Sequence, residues 1–226
     1  MERDSRLTGA VSEVRSFTPE RMNALTDGVF AIVLTLLVLE LRLPETDESI
    51  LLLMRDDARV FVAWLISFIL LARFWLVHHS ITACLRQCRM GTLTLNLAVL
   101  GAVSLMPFSA DVMGTQRIAE PWSTVVFATN VGLLSISVGL MARHALHESH
   151  LFHPAGSTTA LARHRKRYLY VLPTATLSAV VLAFVHPYLS AGILLAEFLS
   201  FVRCEYRVPA PRRSLVRRSN KPGQVH

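Results

Sequence analysis

Few groups in this chain could do chemistry in an apolar setting. Asp27 sits near the start of the run Arg21-Met-Asn-Ala-Leu-Thr-Asp-Gly-Val-Phe-Ala-Ile-Val-Leu-Thr-Leu-Leu-Val-Leu-Glu40, and twelve uncharged residues follow it. Trp75, His78 and His79 close a second apolar run, Arg73-Phe-Trp-Leu-Val-His-His. A carboxylate at the centre of a spanning helix costs about 2.5–3.5 kcal/mol to insert, so Asp27 must meet water or polar partners. Three readings are open. Asp27 is an ordinary acid at a helix start, or part of an interior network with the indole and imidazoles, or, with His78 and His79, a metal or catalytic centre. The last requires further polar groups at the same depth, and Arg73 is the obvious one.

The elements that carry these groups are spanning helices. Of 226 residues 52% are hydrophobic and 17% charged, with three cysteines, Cys84, Cys88 and Cys204. Soluble domains carry roughly a quarter charged residues, so too few are present to cover a water-facing surface. The apolar content excludes disorder, and three cysteines are too few for a disulfide scaffold. A span needs about 20 apolar residues. Six runs qualify as candidates: Leu25–Leu43, Val60–Ser80, Gly91–Met113, Trp122–Met141, Tyr168–His186 and the shorter Tyr188–Val202, which contains Glu197. The first ends in Glu40, Arg42 and Pro44 rather than a small-residue cleavage site, so no removable signal is expected. The expected class is an all-α membrane protein. It divides into an N-terminal tail, 1–20, a six-helix domain, 21–204, and a basic C-terminal tail, 205–226.

Charge sets the orientation. The net charge of +7 comes from 21 Arg and two Lys against 16 acids. If the six spans alternate, 18 of these cations fall on one side: the N-terminal tail, the second-to-third and fourth-to-fifth connections and the C-terminal tail. Arg42, Arg55, Arg59 and Arg117 fall on the other, mixed with acids. Cytoplasmic loops carry the basic excess, so both termini are expected inside a bacterial inner (plasma) membrane. Distributed in this way, the charge does not point to nucleic acid as a partner. The topology also brings Asp27 and the Trp75–His79 end of the second span to one depth.

On the first span Gly28, Ile32, Thr35, Leu36 and Leu39 share a face by their i, i+3, i+4 spacing. Spacing alone reads as packing. The same segment, Arg21-x-x-x-Leu25-Thr26-Asp27-Gly28-Val29-Phe30-Ala31-Ile32 followed by Thr35 to Glu40, resembles the signature of the transmembrane protein 175 family of potassium channels. That signature has Arg-x-x-x-Phe-Ser-Asp, so Leu25 and Thr26 replace Phe and Ser. Phe74-Trp75-x-x-His78-His79 and Asn96 through Met106-Pro107-Phe108 extend the likeness to about residue 110. The resemblance implies a passive, potassium-permeable homotetramer with six helices per subunit, the first lining a central pore. It implies constriction layers at Ile32, Thr35 and Leu39, with Gly28 and Leu36 as further lining. Arg21, Thr26, Asp27, Trp75, His78 and His79 would be the network tying that helix to its neighbours. Apolar rings can gate by dewetting, and four Thr35 hydroxyls could offer oxygens to a cation. No TVGYG filter is present. No cofactor or resident metal is expected, only permeant K⁺ and the bilayer.

The remaining features carry less. His144, His147, His150 and His153 recur every third residue and read as a solvated helix face, with metal binding or pH modulation as alternatives. Cys84 and Cys88 supply only two of the four ligands a structural zinc takes. Glu40 and Arg42 read as an interface pair. A secondary transporter would show broken helices or inverted repeats, and neither is visible.

Overall fold

Prolines and close glycine contacts set much of the helical framework. The computed structural model describes residues 18–41, 58–115, 120–148 and 158–204. The expected tails, apart from residues 18–20, lie outside the described residues, as do Arg42, Arg55, Arg117, His150 and His153.

Helix α1, Pro19–Leu36, begins with proline in its first turn, where the missing N–H costs nothing, and tightens into a 3₁₀ turn at Leu37–Glu40. Helix α2 is Ala58–Thr82. The next apolar stretch is α3, Met90–Ser104, and α4, Met106–Thr115, separated at Leu105. Pro107 has no N–H to return to Val103, so the ladder cannot pass that point unbroken. Helix α5, Pro121–His147, again starts on proline.

Beyond α5 come α6, Thr158–Lys166, a π-helical turn, Arg167–Val171, and α7, Leu172–Ala183. Leu172 N–H bonds Arg167 O, one residue further back than in an α-helix. Pro173 has no N–H with which to carry that ladder on to Tyr168 O. Ser135 of α5 fills the gap, its Oγ donating to Tyr168 O at 2.8 Å. The approach is close: a Cβ on Gly139 would lie 2.6 Å from Leu169 N, and one on Gly132 would lie 2.9 Å from Thr176 Oγ1. Small residues at helix contacts are how membrane helices pack without a hydrophobic driving force. A turn at Phe184–His186 then leads to α8, Pro187–Cys204, which returns along α7, with Ser190 Oγ donating to Ala179 O at 2.6 Å.

Helix α5 runs through the middle, packed against α3, α4, α6 and α7, while α1 leans on α2 and α3. Phe30, Phe74, Phe127 and Tyr168 are among the largest fully buried side chains. Many other apolar side chains remain on the surface, including Phe108, Leu177, Val181 and Phe184. The chain is therefore a multi-pass, all-α membrane protein. Among the described residues, four helical stretches have the length and apolarity to cross a bilayer: Pro19–Glu40, Ala58–Thr82, Met90–Thr115 and Pro121–His147. Of the six candidate runs expected, four meet this measure among the described residues. The run from Tyr168 is divided by the π turn that Pro173 imposes, leaving a 12-residue α7, and the run from Tyr188 is the 18-residue α8.

Candidate functional site

Helix α1 has two unlike faces. Met22, Thr26, Phe30, Val33 and Leu37 are buried against the rest of the chain. Gly28, Ile32, Thr35, Leu36 and Leu39 are all exposed, Ile32 at 60% and Leu39 at 67%. At 3.6 residues per turn the two sets lie on opposite sides of the helix. A Cβ added to Gly28 would meet nothing within 4 Å, so nothing in the chain covers that position. Thr35 Oγ1 donates to Ile32 O at 2.7 Å. That bond holds the hydroxyl against its own helix and leaves its lone pairs free to accept or to coordinate.

The polar groups at the Pro19 end of α1 form two separate sets. In the first, Trp75 Nε1–H donates to Asp27 Oδ1 at 2.7 Å, and the Trp75 indole stacks on His79 with ring centroids 5.8 Å apart. Asp27 and His79 are exposed. In the second, buried set, Asn96 of α3 stands between Thr26 and His78. Asn96 Oδ1 lies 2.7 Å from His78 Nε2, and Asn96 Nδ2–H donates to Thr26 Oγ1 at 3.0 Å. An amide oxygen only accepts, so the proton of the first bond sits on His78 Nε2. Thr26 Oγ1–H then donates to Met22 O at 2.9 Å. Phe30 covers the His78 ring at 6.4 Å.

Of the six residues named for the network, Thr26, Asp27, Trp75, His78 and His79 thus fall into these two sets. Arg21 is exposed and belongs to neither set. Sequence reasoning did not name Asn96 as a site residue. Its signal was an amide inside the apolar run Leu95-Asn-Leu-Ala-Val, which must find a partner but does not say which. Asp27 and His78 answer to different partners, and among the described residues no three His, Cys, Asp or Glu side chains gather as a metal group.

At the far side of the second-to-third connection, Arg89 Nη1–H donates to Glu148 Oε1 at 3.2 Å, with His144 Nε2 3.8 Å from the same oxygen. A Cβ on Gly91 would strike the His144 ring at 2.7 Å, so α3 and α5 meet closely there. Cys88, nearby and fully buried, has its thiol pushed up to about 11 by burial, with the charges of Glu20 and Glu148 adding to the effect.

Residues 21–107, which hold both polar sets and the bare face of α1, match the family model described as the endosomal/lysosomal potassium channel TMEM175. The chain is 29% identical over 201 residues to a protein of Streptomyces collinus named as a potassium channel, covering 85% of this chain and 95% of that one. It is 28% identical over 177 residues to a Chryseobacterium protein so named, covering 77% and 88%. Over residues 21–107 the chain is similar to the TMEM175 family. In fold it is similar to the crystal structure of a TMEM175 homologue from Chamaesiphon minutus, with a TM-score of 0.69 at 24% identity, over 81% of this chain and 96% of that one. The TMEM175 family match ends at Pro107, so α5 to α8 lie outside it.

Proposed function

We propose that the chain is one subunit of a passive, potassium-permeable homotetrameric channel whose pore is lined by the exposed face of α1. The observation that carries this reading is that face: an apolar stripe with one threonine, bare from end to end, on a helix whose other side is packed. A lone subunit leaves Ile32 and Leu39 facing nothing of its own chain. Four copies around an axis would convert the stripe into rings, with Ile32 and Leu39 as apolar constrictions and Thr35 as an oxygen layer. Gly28 and Leu36 complete the lining. Ile32 and Leu39 are about 10 Å apart along the helix. The potassium channels named among the relatives support the choice of ion.

The two polar sets have a supporting part. Thr26 and Asp27 are consecutive, yet one turns to α3 and the other to α2, so together they hold α1 at one rotation. That rotation decides which residues reach the axis. Six spans per subunit, with both termini cytoplasmic in a plasma membrane, follow if α7 and α8 cross as an antiparallel pair. The Ser190–Ala179 bond and the basic excess of the loops support this. On the same reading, residues 21–204 are the channel domain and 1–20 and 205–226 its cytoplasmic tails.

The test is cation flux from liposomes holding the purified protein. Downhill K⁺ movement with no coupling ion is the expected result. No flux at any voltage or pH would sink the proposal.

A further inference from the structure

A groove of about 410 Å³ runs along the bundle between the first half of α2 and α8. Ile66 and Leu70 of α2 and Leu194 and Phe198 of α8 form its walls, over Phe127 and Val131 of α5. At its margins Val62 and Leu195 are each 49% exposed, so the groove opens sideways at the surface. Arg59, Ser123 and Thr124 line the end where α2 and α5 begin. Both helices are long and apolar enough to cross a bilayer, and the walls lie about two to three turns in from that end. The groove therefore faces hydrocarbon along its length and meets the headgroup level at Arg59.

Water suits this space poorly, because the polar lining groups stand only at the mouth. An empty groove would forfeit the dispersion contacts of every wall residue. The molecules present at that depth in a membrane are acyl chains. We propose that the groove is a binding site for one acyl chain of a phospholipid whose phosphate is held by Arg59. The volume lies within the roughly 300–1,000 Å³ of small-ligand sites. Arg59 has another interaction within the protein, and the five N–H donors of a guanidinium can serve both that contact and a phosphate.

The test uses the full chain in phosphatidylcholine–phosphatidylglycerol vesicles containing a phospholipid with a diazirine in its acyl chain. After photolysis, adducts are mapped by peptide mass spectrometry. Leu194, Leu195 and Phe198 are expected to carry severalfold more label than Leu177 and Val181, which are exposed on α7 outside the groove. Ala191→Trp, which fills the groove, is expected to lower the groove label roughly tenfold, as for expelling about two buried methylenes, while the α7 label stays. Arg59→Gln is expected to weaken labelling by the phospholipid but not by a diazirine diacylglycerol. Equal labelling of groove and α7 in the unaltered protein overturns the site, with no need for the Trp variant to fold. So does a groove that labels only once residues 42–57 are replaced by a Gly-Ser linker. Rapid Leu195→Cys cross-linking between copies without groove labelling would give it to a second subunit.

Discussion

Trp75 of α2 donates its indole N–H to Asp27 of α1 at 2.7 Å, one residue along from Thr26, which is bonded to Asn96 of α3. Neighbouring helix positions differ by about 100° in direction, so the two bonds pull on α1 from different sides. A helix held that way can neither roll nor slide without losing one of them. The face left over is the one carrying Ile32, Thr35 and Leu39.

Loss of the Asp27 carboxylate should therefore act on assembly first. Asp27→Ala leaves the Trp75 N–H without its partner, at a cost of about 1–3 kcal/mol for a bond to a charged group. Asp27→Asn keeps an acceptor oxygen and should retain most of the oligomer. Size-exclusion chromatography in mild detergent reads the oligomer fraction, and bilayer recordings read the K⁺/Na⁺ permeability ratio. Normal oligomers from Asp27→Ala with only the ratio altered would contradict this order of events.

Asn96 should matter more to stability than Thr26. Asn96→Leu orphans the buried His78 Nε2–H, at about 1–3 kcal/mol before relaxation, and leaves Thr26 Oγ1 only its bond to Met22 O. Thr26→Val removes one partner of Asn96 and leaves the His78 bond standing. Thermal unfolding in detergent is expected to rank Asn96→Leu well below Thr26→Val. Equal melting temperatures would mean that His78 finds another acceptor.

The depth match between Asp27 and the end of α2 was legible in the sequence, because strict alternation of spans fixes which helix ends share a level. Which side chains join at that level was not. The double histidine drew attention as a pair, yet its members are divided, His79 stacked on Trp75 and His78 turned inward to Asn96. One step along a helix reverses much of a side chain's surroundings, and no periodicity reports what a neighbouring helix offers there. The four long apolar helices follow from their composition. The break before α7 did not show, because Pro173 lies inside an apolar run and its effect depends on Ser135 and Gly139 of another helix.

That dependence can be measured. Ser135→Ala removes the hydroxyl that α5 donates to Tyr168 O, an expected loss of about 1–2 kcal/mol. Pro173→Ala supplies a new backbone N–H at the point where one is missing. In that background Ser135→Ala should cost less than alone, a coupling of about 1 kcal/mol in a double-mutant cycle on unfolding. Additive effects would show that the serine does not stand in for the missing donor.

Cys88 should be nearly inert to maleimide beside Cys84. Its thiol is buried and titrates at about 11 in place of 9.0, which lowers the reactive thiolate about a hundredfold near pH 8 before access is considered. With Cys204 replaced by serine, mass spectrometry is expected to show label on Cys84 first. The raised value also has a sign for stability. Between about pH 9 and 11 the folded chain keeps a proton that the unfolded chain releases, so this group's contribution falls as pH climbs through that window. Cys88→Ser should flatten the decline.

The α1 stripe predicts graded effects on conduction. Thr35 is held by its bond to Ile32 O, with its oxygen on the exposed face. Thr35→Ala deletes the one side-chain oxygen in the stripe and is expected to reduce K⁺ preference over Na⁺ while the channel still conducts. Thr35→Ser keeps the oxygen and should retain that preference. Ile32→Ala and Leu39→Ala act differently, since each shrinks an apolar ring without altering its chemistry. A wider, more readily wetted constriction should raise single-channel current several-fold, the two variants acting separately because about 10 Å lies between them. None of these positions touches the polar sets that hold α1, so oligomer fraction should stay near that of the parent. Reversal potentials under bi-ionic conditions, with single-channel currents from the same bilayers, read both quantities. Unchanged current and selectivity in all four variants, with oligomers intact, would place the pore on some other face.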